Sequence, residues 1–426
     1  MAGPDARRGA VVVASVALLA VASAQGAFMD AQTSTLDAVE AAHRALWSSF
    51  VSPQGVILDF VGEMPTPEDC TLGRPNAIGW WSPIENGPMF TGLYLHAACE
   101  RARRGGDAGD REEARRLAEG LLKCASISTV PGFIARGMAT DGLHHYPLGS
   151  DDQTHPWFYG LHAYAMSGIP SPEDRARVVA KMKEVADALQ ATGWKCPCDG
   201  AFTGQFRGAF TGRMFRDAAR YLFMLRAMYD VTEDKVWLDR YHVALAARPA
   251  RSAKTRLEIC ADGYAPDRDV IKGLDQGSMW IYVGSQGSLA ELVAMETEAP
   301  VRARYAAGLA ANAANALPAI EGYRDFDNND TKVFGNANWR AGYPVWFPQK
   351  TQADAQRLSV TGDRAKLGER KAYEARYMRN PLAAAAIAAL GGAAREAVEP
   401  AIRHYDYATL HMAEFFLAEC AYYGVQ

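Results

Sequence analysis

The sequence predicts an all-α protein: a ring of paired helices in the (α/α)6 toroid arrangement. Three observations predict it. Apolar residues recur at helical spacing through most of the chain, while alternating strand patterns are scarce. A turn carrying a helix N-capping residue returns at intervals of 61, 61, 65 and 64 residues. Each interval has room for two helices, the second entered through a long loop, and a repeated helical pair argues for a solenoid or a closed ring.

In chain order, the N-terminus comes first. Arg7 and Arg8 precede an apolar stretch from Ala10 to Val21, and Ala22-Ser23-Ala24 fits a small-x-small cleavage site. This pattern reads residues 1–24 as a secretory signal peptide, with an apolar run too short to span a bilayer. The expected product is a secreted or periplasmic protein with one domain over residues 25–426. Its 426 residues are 49% hydrophobic and 22% charged, with a net charge of -4 and no run of like charges. That balance suits a soluble globular chain and supplies no electrostatic case for nucleic acid or an anionic membrane.

The expected turns start at Asp110, Ser171, Thr232, Thr297 and Thr361, each capping a helix that follows. Asp110 with Glu113 fits a capping box, and Pro172 takes the favoured first helical position. Phe90, Leu93, Tyr94 and Ala97 mark one of the alternate helices, and Phe215, Ala219, Leu222 and Met228 another. Helices near Thr35–Phe50 and Tyr405–Tyr423 would then pair to close the ring. An open solenoid is the alternative. The pair over Asn380–Leu390 and Ala393–Ile402 has no assigned place at this stage.

Because each short turn precedes an outer helix, every long loop should emerge on one face. Those loops carry Trp80, Trp81, Glu85 and Asn86; His144 and His145; Asp151, Asp152, His155 and Trp157; Arg207 and Arg213; Asp275; and Trp339. Such a mixture suits carbohydrate. Sugar C–H faces stack on indole rings, while carboxylates, amides and guanidinium groups bond the hydroxyls. Cleaving a glycosidic bond takes one protonated carboxyl and a second carboxylate as base or nucleophile. Asp152, Asp151 and Glu85 are the candidate catalytic acids, with Asp152 as general acid; as helix-start acids the first two could equally serve as caps. Trp80, Trp81, Asn86, His144, His145, His155, Trp157, Tyr164, Arg207, Arg213, Asp275 and Trp339 are the candidate substrate contacts.

On these residues the chain resembles the six-hairpin glycosidase superfamily, whose members share the (α/α)6 toroid. Ser150-Asp151-Asp152, Trp157-Phe158-Tyr159-Gly160 and Tyr164 are similar to the Ser-Asp-Asp…Trp-x-x-Gly…Trp segment of unsaturated glucuronyl hydrolases. The resemblance implies that an Asp of this segment is the general acid/base, which carries over to Asp152, or to Asp151 in a shifted register. Two extra residues separate Asp152 from Trp157, Tyr159 stands where the family has Arg, and one extra residue precedes Tyr164. The family's other Asp finds only Glu85-Asn86 here. The architecture covers most of the chain, the motif about fifteen residues.

Three functions therefore stand side by side: a glycoside hydrolase on an oligo- or polysaccharide, acidic or neutral; a polysaccharide lyase of the same fold using His155, Tyr164, Asn86 and Arg207; and a sugar-binding toroid without turnover. A toroidal isomerase or epimerase would use paired histidines instead. No cofactor or metal is implied. Cys196-Pro197-Cys198 lacks a second ligand pair for zinc, and residues 325–330 lack the Gly and Glu of a calcium loop. Seven cysteines, an odd number, leave at least one thiol unpaired within the chain.

Overall fold

The computed structural model describes residues 34–264, 279–342, 346–361 and 368–425. The signal segment 1–24, Asp275 and the residues after Thr361 in its turn lie outside the described residues. The chain is 65% helix and 3% strand, which makes it all-α.

The helices are, in order, α1 Thr35–Ser49, α2 Pro67–Leu72, α3 Gly87–Gly105, α4 Ala108–Cys124, α5 Asp151–Met166 and α6 Pro172–Ala191. After a short antiparallel pair, β1 Lys195–Pro197 and β2 Phe206–Ala209, come α7 Phe215–Thr232, α8 Lys235–Ala246 and α9 Arg256–Asp262. The remainder are α10 Trp280–Met295, α11 Ala299–Ile320, α12 Gln352–Thr361, α13 Glu369–Glu374, α14 Asn380–Leu390, α15 Arg395–Arg403 and α16 Leu417–Gly424.

Local chemistry starts most of these helices. Ser34 and Thr66 form capping boxes with Asp37 and Asp69, and Ser171 receives the Asp174 amide ahead of Pro172. Other expected caps are displaced. Asp107, not Asp110, caps α4; Thr232 ends α7 and Asp234 caps α8; Glu298 precedes α11 without a side-chain cap; Thr361 is the last residue of α12. A cap works only where its oxygen meets an amide two or three residues on, and the sequence offers several acceptors in each turn. The period itself holds: α4, α6, α8 and α11 start 64, 63 and 64 residues apart. A continuous helix over 405–423 does not form. Two 3-10 turns, Tyr407–Thr409 and Ala413–Phe416, precede the short α16.

Contacts between helices follow a cycle. α3 packs on α5, α5 on α7, α7 on α10, α10 on α14, α14 on α16, and α16 on α3 again. The intervening helices bridge neighbours from outside: α4 covers α3 and α5, α6 covers α5 and α7, and α11 covers α10 and α14. α15 covers α14 and α16, while α1 packs on α15 and α16 and reaches α3 through His43–Tyr94. The unassigned pair thus supplies α14 and α15. One apolar core runs from Ala38 to Val425. At the α3–α5 crossing the backbones touch: a Cβ on Gly160 would lie 2.6 Å from the Gly92 carbonyl oxygen, so neither glycine has room for a side chain. Among the described residues, no helix is long and apolar enough to cross a membrane.

Candidate functional site

The N-terminal ends of α3, α5, α7, α10 and α14 meet at one end of this cycle, with the turn before α16. The Asn86 backbone amide and Nδ2 each donate to Asp59 at 2.7 Å, and Gln153 Nε2 donates to Asn86 Oδ1 at 3.3 Å. Glu85 Oε2 accepts the Trp81 amide at 3.1 Å and faces Lys371 Nζ at 3.9 Å. Lys371 lies 4.7 Å over the Trp81 ring. Trp81 itself holds φ at 73°, a left-handed conformation that costs a bulky residue about 1–2 kcal/mol. Strain of that kind concentrates at functional positions.

Next around the rim, Asp151 and Asp152 open α5. Arg220, almost wholly buried on α7, donates from Nη1 to Asp152 Oδ1 at 2.9 Å and stands 3.5 Å from Asp151 Oδ2. Its Nη2 reaches the Ile281 carbonyl of α10 at 3.0 Å. Arg216 adds a second cation 3.9 Å from Asp152. The two carboxyls titrate as a pair with opposite tendencies. Burial and the neighbouring Asp152 charge push Asp151 up to about 6. Burial also opposes charge on Asp152, but Arg220 and Arg216 outweigh it and hold its carboxyl below the usual range. Asp152 is the more accessible of the two, with a third of its side chain exposed. Arg207 sits 5.3 Å over the Trp80 ring beside them.

Across the rim, Arg379 lies 4.7 Å over Trp280 and donates to Glu414 Oε1 at 3.3 Å. Burial raises the Glu414 carboxyl although Arg379 opposes the rise, and Glu414 Oε2 is buried without a hydrogen bond. Burial, with Glu85 and Glu414 nearby, raises Asp59 well above the ordinary carboxylate range. The rim therefore carries one firmly ionised carboxylate, Asp152, among carboxyls biased towards protonation. This corrects the expectation of Asp152 as general acid: two guanidinium groups favour its charged form, which suits a base or a stabilising carboxylate.

Of the residues singled out in the sequence, Trp80, Trp81, Glu85, Asn86, Asp151, Asp152 and Arg207 come together here. Others do not. His155 is fully buried, with Nε2 2.6 Å from Ser288 Oγ, and burial and Arg220 push its pKa well down. Trp157 turns away and donates to the Leu121 carbonyl of α4 at 2.7 Å. Tyr164 is buried twelve residues along α5 from Asp152, about 18 Å at helical rise, so it cannot share a site with the rim. Trp339 is buried and bonds the Glu63 carbonyl at 2.6 Å. Arg213 is exposed beyond the start of α7. His144 pairs with Asp141 at 2.6 Å and His145 with Asp199 at 2.7 Å, lining a separate groove of about 500 Å3 with Thr71 and Gln349.

Sequence reasoning missed Asp59, Arg136, Trp280, Lys371, Arg379 and Glu414. Only Trp280 and Glu414, each just ahead of or opening a helix, carried a signal. Within residues 325–330, Asp330 pairs with Lys332 and Arg370 and Asp327 caps a turn, so both acids are engaged in protein contacts. All seven cysteines are free thiols, Cys196 and Cys198 buried. Among the described residues, His43, Asp110 and Glu113 offer ligand atoms within 4.8 Å of one another. Their charges are already met: His43 Nε2 is 3.1 Å from Glu113, and Arg101 Nε donates to Asp110 at 2.8 Å. No protein-family model, curated protein or solved structure matches this chain.

Proposed function

We propose that the chain is an exported glycoside hydrolase built as an (α/α)6 toroid, cleaving a glycosidic bond in an acidic oligo- or polysaccharide. The observation that carries this reading is the division of labour at the rim. An ionised Asp152 stands beside carboxyls that retain a proton at mildly acid pH, within a border of Trp80, Trp81 and Trp280. A protonated carboxyl delivers its proton to the leaving oxygen. Asp152 then stabilises the positive charge developing on the sugar or activates a water. Glu85 stands ready as the opposing carboxylate. Indole faces receive the sugar rings. Arg207 and Arg216 each keep a buried Nε–H without an acceptor, which suits a substrate bearing carboxylate or sulfate groups. The elimination reading is weaker here, because its intended bases, His155 and Tyr164, are buried away from the rim.

The test is incubation of purified protein with acidic and neutral polysaccharides, following new reducing ends together with ultraviolet absorbance of unsaturated products. Hydrolysis predicts reducing ends without absorbance, on acidic substrates first. A joint rise of both signals would replace hydrolysis by elimination. Binding without either signal, across the panel, would leave a sugar-binding protein. Export is checked separately, by N-terminal sequencing of the mature chain, which should begin after Ala24.

A further inference from the structure

Arg136 lies in the loop between α4 and α5 and is only 2% exposed. Its guanidinium makes three hydrogen bonds, all to neutral acceptors: Nε to the Leu148 carbonyl at 2.9 Å, Nη1 to the Glu85 carbonyl at 2.7 Å, and Nη2 to Ser150 Oγ at 3.0 Å. Its own carbonyl receives the Gly87 amide at 2.9 Å, and Gly87 is held so close that a Cβ there would lie 2.5 Å from that oxygen. One residue thus grips both ends of the site. It holds the turn carrying Glu85 and, through Leu148 and Ser150, the segment that opens into Asp151 and Asp152.

A buried guanidinium normally has a carboxylate against it, because an unpaired charge in the interior costs several kcal/mol in desolvation. Arg136 has none in hydrogen-bonding contact. Burial and the nearby Arg207 charge push its pKa down to about 9, while Glu85, Asp152 and Asp59 act on it from a distance in the opposite sense. Packing alone would be served more cheaply by an apolar side chain of similar length. Three fixed bonds at the fork of a planar cation give what an apolar side chain cannot: a rigid spacing between two loops, with positive charge placed between their carboxylates.

We infer that Arg136 is a positioning residue that sets the separation of the Glu85 and Asp152 carboxylates across the rim. This rests on the hydrolase reading above, and the test separates the two. Arg136→Lys keeps the charge but has no fork to bridge Leu148, Glu85 and Ser150. On a polysaccharide that the wild type cleaves, kcat should fall roughly 100-fold, as for a small misplacement of reacting groups. KM should stay within a few-fold, and the limb of the pH–rate profile belonging to the ionised carboxylate should move upward. Methylguanidinium added to Arg136→Ala should restore part of the lost kcat. Arg136→Lys with wild-type kcat, or losses matched by the fall in melting temperature with an unmoved pH limb and no rescue, would overturn the inference. If the wild type cleaves nothing, the hydrolase reading fails instead. The clamp is then read from the carboxyl carbon-13 titrations of Glu85 and Asp152, which should move in the Arg136→Lys protein and would refute the clamp by staying put.

Discussion

The two ends of the helical cycle use the same residue types in opposite ways. At the end away from the rim, carboxylates meet bases. His96 pairs with Glu291 at 2.9 Å, His162 with Asp230 at 2.9 Å, and Arg101 with Glu40 and Asp110 at 2.7 and 2.8 Å. Glu291, Asp230 and Glu40 are all held below the ordinary carboxylate range by those partners, Glu291 in spite of its burial. His43, although burial opposes its charge, is raised to about 9 by Glu113 and Glu419. At the rim, Asp59, Asp151, Asp217 and Glu414 all rise, each chiefly through burial. Pairing lowers carboxylate pKa and stabilises the fold; crowding under burial raises it and leaves the fold carrying the cost. Divergence of that kind marks the end where chemistry is expected.

The largest effect that would sharpen this contrast is at Asp152. Asp152→Asn should lower kcat by roughly a thousandfold while substrate binding and melting temperature stay near wild type. The wild-type rate should fall as pH rises through about 6, where Asp151 gives up its proton. Full activity in Asp152→Asn would remove the rim from consideration. A matched pair tests the contrast in stability. Glu291→Gln should destabilise by about 3 kcal/mol, because His96 and His162 lose their carboxylate, whereas Glu414→Gln should cost under about 1 kcal/mol. Equal losses in urea unfolding would erase the distinction.

Third, the His43 charge contributes stability that is fully present below the unfolded value of 6.5 and is lost as pH rises through about 9. Thermal melts across that window should show a decline on the order of 3 kcal/mol that is absent in His43→Gln. The smallest effect is at Trp80. Trp80→Ala should raise KM roughly 5-fold through lost stacking, with kcat nearly unchanged, which isothermal titration with substrate in the Asp152→Asn background would check.

Much of the helical pattern was legible in the chain because its causes are local. Phe90, Leu93, Tyr94 and Ala97 announced α3, and the 64-residue spacing of outer helices survived even where the capping residue was misassigned. Part of the rim was legible for the same reason: Glu85, Asn86, Asp151 and Asp152 sit at or near helix starts, and helix starts gather at one end of paired helices. His155 and Trp157 were misplaced because a residue's depth and rotation on α5 depend on what packs against it. His155 lies deeper, against Ser288 of α10, and Trp157 is rotated towards α4.

Asp59, Arg136, Lys371, Arg379 and Glu414 left no local trace as site residues. Their roles come from neighbours far away in sequence: Asp59 faces Glu414, Lys371 faces Glu85, and Arg136 reaches Glu85 and Ser150. By itself the sequence determined helix content, the repeat period and which residue types crowd the long loops, since apolar spacing and capping act over a few residues. Only the tertiary structure decided which carboxyls are charged and which loops are clamped. Burial and Coulomb interaction depend on distance in space, and that distance is set when α16 comes back to α3.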